Sequence, residues 1–354
     1  MTNWFEKKVK ELSSLVGYQK PELHKEALKL DSNENFVVPK QFQQDLIKNA
    51  RKVSDIREYP LGGIERLIQS IAKFRKVPAN MIGVGNGSDQ ILDIILANFA
   101  TKKRVLTSDP TFGFFEERCK LYSIPTIKIP FSKDMTLDIS EFEKNAKKAD
   151  ILYLDSPNNP TGFQFPKTQL EKLVKSFDGL ILIDEAYGAF GKYSLASLTK
   201  TQKNLIVVDT FSKSFGMAGL RLGYFIANKE FTDTFNRILQ YPYPLNTIAI
   251  EAGILALDKA KQIKEATDTI KKERTRIVEN LRKYDAFEVF DSDANFVLFD
   301  AGGADKRVYT ALVEQGISIR KLGKIGTHQG CLRVTVGTKE MNSKFLLAIR
   351  DLLG

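Results

Sequence analysis

Three short segments of the chain gather the residue types that chemistry needs. The first, Asp184-Glu185-Ala186-Tyr187, follows the apolar run Leu180-Ile181-Leu182-Ile183. A carboxylate directly after a buried strand is costly to hold unless a cationic or hydrogen-bonding partner meets it, so Asp184 is either the cap of the next helix or an acid kept for such a partner. The second runs from Asp209 to Gly223 and crowds Thr210, Ser212, Lys213, Ser214 and Arg221 among glycines at 216, 219 and 223. A lysine, hydroxyls and an arginine thus crowd into a glycine-rich segment, although singly none of them is distinctive. The third, SPNNPTG at 156–162, follows an apolar run that ends at Leu154 and Asp155. Asn-Pro and Thr-Gly are ordinary turn formers, and by itself this segment reads as a turn.

These segments gain meaning from the elements that must position them. Unbroken apolar runs at 104–107, 126–130, 151–154, 180–183 and 205–208 predict strands buried on both faces, hence a mainly parallel sheet. Helices are predicted between them at 88–99, 111–122, 139–147 and 167–176. A sheet of this kind binds its ligand at the carboxyl ends of its strands, where all three polar segments lie. After Tyr241-Pro242-Tyr243-Pro244 the texture changes: one long charged helix over 248–284, strands at 287–290, 295–299, 317–319 and 332–336, and helices at 305–315 and 338–353. The expected fold class is α/β: residues 1–30 form a helix (about 2–15) and an arm, residues 31–245 a large domain, and residues 246–354 a smaller α+β domain. No internal repeat or low-complexity tract is visible.

Composition narrows the function classes. With 354 residues, 43% of them hydrophobic and 27% charged, the chain can bury one large or two modest cores, which excludes disorder and small disulfide scaffolds. Cys119 and Cys331 form no CxxC pair, and His24 and His328 are the only histidines, so no conventional metal site is expected. The longest apolar stretch, 91–100, is interrupted by Asp93 and Asn98 and falls short of the roughly 20 residues that span a bilayer. The first 16 residues are too charged for a signal peptide, so a cytoplasmic protein with reduced thiols is expected. An excess of 53 Lys+Arg over 43 Asp+Glu gives a net charge of +10, but the basic residues are scattered among acids on helical stretches. That pattern fits a solvated surface or a bias toward small anions better than a nucleic-acid partner.

Taken in order, SPNNPTG, DEAY and TFSKSFGMAGLRLGY (210–224) resemble the active-site series of fold-type-I pyridoxal-phosphate enzymes of the aminotransferase family. LDSNEN (30–35), EYP (58–60), GNGSDQIL (85–92), DPTF (109–112) and LRVTVGT (332–338) extend the resemblance from about residue 18 to the C-terminus. The set is most similar to the branch that transaminates histidinol phosphate.

The resemblance implies pyridoxal 5'-phosphate as cofactor and a role for each matching residue. Lys213 would bind the cofactor covalently and later move the α-proton, with Asp184 on the pyridine nitrogen. Asn159 and Tyr187 would hold the phenolic oxygen, and Phe112 would stack on the ring. Gly87, Ser88 and Asp89 at a helix start, the last through its N–H with its side chain turned away, would hold the phosphate with Thr210, Ser212 and Arg221. Tyr59 would reach the phosphate of a neighbouring subunit, which implies a homodimer. Tyr18, Asn33, Asn159, Arg320 and Arg333 would bind the substrates, a phosphorylated amine and the 2-oxoglutarate/glutamate pair, and no metal is implied. Two positions depart from the family pattern: Phe112 stands where tyrosine is usual, and Gln90 where an acid is common after GSD. They leave open a phosphothreonine decarboxylase or an aromatic amino-acid aminotransferase. A non-catalytic nucleic-acid-binding relative would have no use for Lys213 and Asp184.

Overall fold

Strands too apolar to alternate between core and solvent build the central layer. In the computed structural model, which describes residues 3–17, 20, 27–52 and 55–353, a short strand β1 (Leu28–Leu30) precedes a seven-stranded sheet. Its members are β2 (Ile82–Asn86), β3 (Val105–Asp109), β4 (Thr126–Pro130), β5 (Ile151–Asp155), β6 (Leu180–Asp184), β7 (Leu205–Thr210) and β8 (Leu222–Ile226), in the order β2-β8-β7-β6-β5-β3-β4. Along β5, Leu152 and Leu154 join one hydrophobic cluster while Ile151 and Tyr153 join another. Both faces of the sheet are therefore covered along β5, but β4 departs from the expected burial on both faces: it is the edge strand, and only Ile129 in it is buried.

Every strand of this sheet runs parallel except β8, which is antiparallel to both β2 and β7. The connection from β7 to β8, residues 211–221, holds only a 3₁₀ turn at Ala218–Leu220. A crossover to a parallel strand takes a dozen or more residues and usually a helix, so the chain instead turns back on itself. The consequence is functional. The loop carrying Lys213 is folded over the carboxyl edge of the sheet, beside the ends of β5 and β6, where Asp155 and Asp184 are register partners.

The second sheet contains β1, β9 (Glu288–Val289), β10 (Phe296–Asp300), β11 (Ile317–Ile325) and β12 (His328–Thr335), in the order β1-β11-β12-β10-β9. Arg320 and Arg333 face each other as Cα partners across β11 and β12. The core beneath this sheet includes Leu30, Tyr187 and Phe190 from earlier in the chain.

Several elements differ from the sequence reading. The long helix over 248–284 is two helices, Thr247–Asp258 and Ala260–Leu281, broken at Lys259 (φ −102°, ψ 24°). Ile250, Ala252, Ala256, Ile263 and Ala266 pack into the core of the seven-stranded sheet, and only from Ile270 onward does this segment join the second core. The helix expected from 111 starts at Gly113, because Phe112 is extended (φ −57°, ψ 115°). The N-terminal helix spans Trp4–Ser13 and buries none of its residues. The sequence reading also omitted β1, β2 and β8 and three α-helices, Lys40–Lys52, Gly63–Arg75 and Lys229–Thr234. Among the described residues no helix is long and apolar enough to cross a membrane.

Candidate active site

A cavity of about 450 Å³ opens at the carboxyl ends of β5, β6 and β7. Its walls bring together Asn33, Ser88, Asp89, Phe112, Asn159, Asp184, Tyr187, Thr210, Ser212, Lys213, Arg221, Arg320 and Arg333, residues drawn from across the sequence. Gly87 abuts it as the first residue of the helix Gly87–Phe99. Tyr59 lies elsewhere: it is 70% exposed and stacks on Tyr243 with ring centroids 4.3 Å apart. Tyr18 falls outside the described residues.

At the cavity floor, Asp184 is 3% exposed. Its carboxylate accepts from the Ala186 N–H at 3.0 Å and the Tyr153 hydroxyl at 3.3 Å. Burial pushes it up to about 7, against the pull of the Ala186 hydrogen bond and with added repulsion from Asp155, Asp89 and Asp209. A carboxyl in this state suits a ligand with a basic nitrogen, to which it can give its proton and with which it then pairs. Lys213 lies across the site, its ammonium donating to the Ser32 carbonyl at 3.1 Å and sitting 5.7 Å from the centroid of the Tyr187 ring.

Two hydrogen-bond chains fix donors toward the same space. Arg333 Nη1 donates to Asn159 Oδ1 at 2.5 Å, so the amide Nδ2 of Asn159 is the end left to donate. Asn33 Nδ2 donates to the Tyr187 hydroxyl oxygen at 2.9 Å, which leaves the Tyr187 proton to donate onward; burial pushes this phenol up to about 12, so it keeps that proton. The Asn33 Oδ1 accepts in turn from Thr335 at 3.2 Å. Its side chain therefore orients Tyr187.

The third wall is an anion cradle. The helix Gly87–Phe99 has no side-chain cap at Asn86, and its first N–H groups adjoin Thr210, Ser212 and Arg221. Gln90 has a structural task here: its Oε1 accepts the Asn86 N–H at 2.8 Å and so braces the helix entry. Close packing needs two glycines. Gly87 has φ +77°, and a Cβ on Gly223 would lie 2.4 Å from the Ser88 nitrogen. Asp89 differs from the expectation that its side chain turns away, since its Oδ2 accepts from Arg221 Nη2 at 2.7 Å. The left-handed backbone at Arg221 (φ +52°) carries the guanidinium across the helix start to meet it.

The sequence reading missed Asp155 and Arg75. Asp155 ends an apolar buried strand just as Asp184 does, so the same signal could have found it. Arg75 carries no local signal. It closes the helix Gly63–Arg75 and reaches Asp209 at 3.1 Å and Glu185 at 3.6 Å, tying the ends of β6 and β7 together. Glu288, Asp300 and His328 form the one histidine–carboxylate group among the described residues, and none of them lines the cavity.

A mostly parallel sheet with one reversed strand, a lysine loop over its carboxyl edge and an acid on the neighbouring strand define a fold-type-I transferase. The chain belongs to the aminotransferase class I and II family, whose model matches residues 25–349. It is 34% identical over 325 residues to the histidinol-phosphate aminotransferase of Pyrococcus furiosus, covering 92% of each chain. Among solved structures it resembles the histidinol-phosphate aminotransferase from Clostridium acetobutylicum, with 27% identity, a TM-score of 0.83 and coverage of 91% of this chain and 98% of that one. It also shares its fold with the Sinorhizobium meliloti histidinol-phosphate aminotransferase solved with pyridoxal-5'-phosphate: 23% identity, TM-score 0.86, and coverage of 97% and 96%.

Proposed function

We propose that the cavity binds pyridoxal phosphate on Lys213 and transaminates histidinol phosphate, with 2-oxoglutarate and glutamate as the second pair. Resemblance to named histidinol-phosphate aminotransferases over nearly the whole chain supports the substrate. The observation that carries the reading is the gathering, in one cavity, of Lys213 and Asp184 with the two arginines, Arg320 and Arg333, on adjacent strands. Bound pyridoxal phosphate supplies an electron sink for the carbon that loses its proton. Asp184 keeps the ring nitrogen protonated. Asn159 Nδ2 and the Tyr187 hydroxyl donate to the ring's phenolic oxygen, and Phe112 covers a ring face without the hydroxyl a tyrosine would add. The N–H groups of the helix start, Thr210, Ser212 and Arg221 take the phosphate. Freed when the substrate amine takes its place, the Lys213 amine would be positioned to take the proton from the substrate's α-carbon and to pass it back.

Histidinol phosphate carries no carboxylate, whereas glutamate does. Arg333 is read as gripping the glutamate carboxylate in one half-reaction and turning to the phosphate in the other, with Arg320 as the second cation for that phosphate. Tyr59 is assigned to the cofactor phosphate of the partner subunit in a homodimer, a reading supported by its position outside its own cavity. A cytoplasmic setting suits the two free, buried cysteines.

The deciding experiment compares kcat/KM of wild type and Arg320→Ala on histidinol phosphate, histidinol and phenylalanine. A charge-assisted contact is worth about 1.5–3 kcal/mol, so the variant should lose roughly 10- to 100-fold on the phosphorylated amine and little on the others. Equal losses on all three would make Arg320 structural. Preference of the wild type for phenylalanine would overturn the substrate, and CO₂ release in place of a keto product would indicate a decarboxylase.

A further inference from the structure

We propose that Asp155 is a positioning residue that fixes the side chain covering the cofactor ring, Phe112, relative to the side chain at the ring's edge, Asn159. The inference rests on the pyridoxal-phosphate reading of this cavity. Asp155 is 4% exposed at the end of β5, and one carboxylate gathers donors from two loops. Its Oδ1 accepts from the Thr111 hydroxyl at 3.0 Å and from Asn158 Nδ2 at 2.9 Å, while its Oδ2 accepts from the Asn159 N–H at 2.7 Å. Thr111 immediately precedes Phe112. Asn158 closes the bracket by donating also to the Pro110 carbonyl at 3.2 Å.

Turn formation alone does not require this arrangement, because Asn-Pro and Thr-Gly turn without a buried acid. Nor is the acid cheap to hold. Burial pushes Asp155 up to about 6, and its charge in turn raises the proton affinity of its register partner Asp184. What the carboxylate contributes is acceptor capacity: two oxygens serve three donors in two loops, whereas an amide at this position keeps the shape but has a single accepting oxygen. With that oxygen in the Oδ1 place, where it keeps Thr111 and Asn158, the amide NH2 faces the Asn159 N–H and the backbone at Asn159 is released.

The test compares the affinity of the reconstituted holoenzyme for pyridoxal phosphate and for its analogue lacking the 3-hydroxyl, read by absorbance. Asp155→Asn should weaken the natural cofactor about tenfold more than the analogue, since only the former uses Asn159 at its phenolic oxygen. Thr111→Val, which loosens Phe112 but keeps the carboxylate, should weaken both ligands by the same factor. Equal losses in Asp155→Asn, or no loss on either ligand in Thr111→Val, would overturn the assignment. The valine variant carries the test if Asp155→Asn does not fold. A wild type that binds neither ligand would instead remove the cofactor reading on which the inference stands.

Discussion

Burial holds the proton of the acid under the cofactor site into the neutral range. Asp184 has a folded value near 7 against an ordinary 3.8, raised by burial. Between those two values the unfolded chain has released the proton and the folded chain has not, so stability falls as pH rises through this window and levels off above it. Asparagine at 184 does not titrate. The melting temperature of cofactor-free Asp184→Asn should therefore gain on wild type as pH rises from about 4 to 7, with the gap constant above. A difference between the two proteins that stays constant over that range would show Asp184 to be already ionised in the fold. The same variant should bind cofactor yet lose most turnover, since an amide cannot hold the ring-nitrogen proton. At this scale the sequence is legible where a polar residue ends an apolar run, as at Asp184, or sits in a dense motif, as Lys213 does. It is silent on Arg75, whose partners Glu185 and Asp209 lie more than a hundred residues away and meet it only once the helix has docked.

Elements are legible in proportion to how local their causes are. β5 and the helix Lys167–Ser176 fall within a residue of where the sequence places them, because an apolar run or a helical periodicity suffices to define each. β8 is obscured by the glycine-rich segment that feeds it, and its reversal is set by the short 211–221 connection. The break at Lys259 is likewise hidden, since the residues on both sides read as helix. The reversal of β8 has a measurable consequence, because it places Gly223 against the start of the helix Gly87–Phe99. Its added Cβ would lie 2.4 Å from both the Gly87 carbonyl carbon and the Ser88 nitrogen, backbone atoms that cannot rotate away. Gly223→Ala should push the helix start off the sheet and cost roughly 1–3 kcal/mol of stability, as overpacking does. It should also weaken cofactor binding more than binding of a phosphate-free pyridoxal. Equal weakening of the two would mean that the helix start does not hold the phosphate.

At the scale of the whole molecule, the cavity and the helix start that abuts it account for every cofactor contact assigned to this chain except Tyr59. That ring is exposed and stacked on Tyr243, with Ile56 83% and Leu61 80% exposed nearby in the chain. An apolar, aromatic surface of this kind is what a second copy would cover. The sequence gives no geometric hint of it, because a half-buried tyrosine beside a proline reads the same whether it faces its own site or a neighbour's. Mixed dimers separate the two. In a heterodimer of Tyr59→Phe with Lys213→Ala, shared sites leave one intact site, built from the lysine of the first subunit and the tyrosine of the second. Activity per dimer should then approach half that of wild type at limiting cofactor. Self-contained sites predict something lower: half the activity of the Tyr59→Phe homodimer, because the only lysine present would be served by phenylalanine. A verified heterodimer at that lower value would return Tyr59 to its own subunit and leave the exposed surface without a catalytic role.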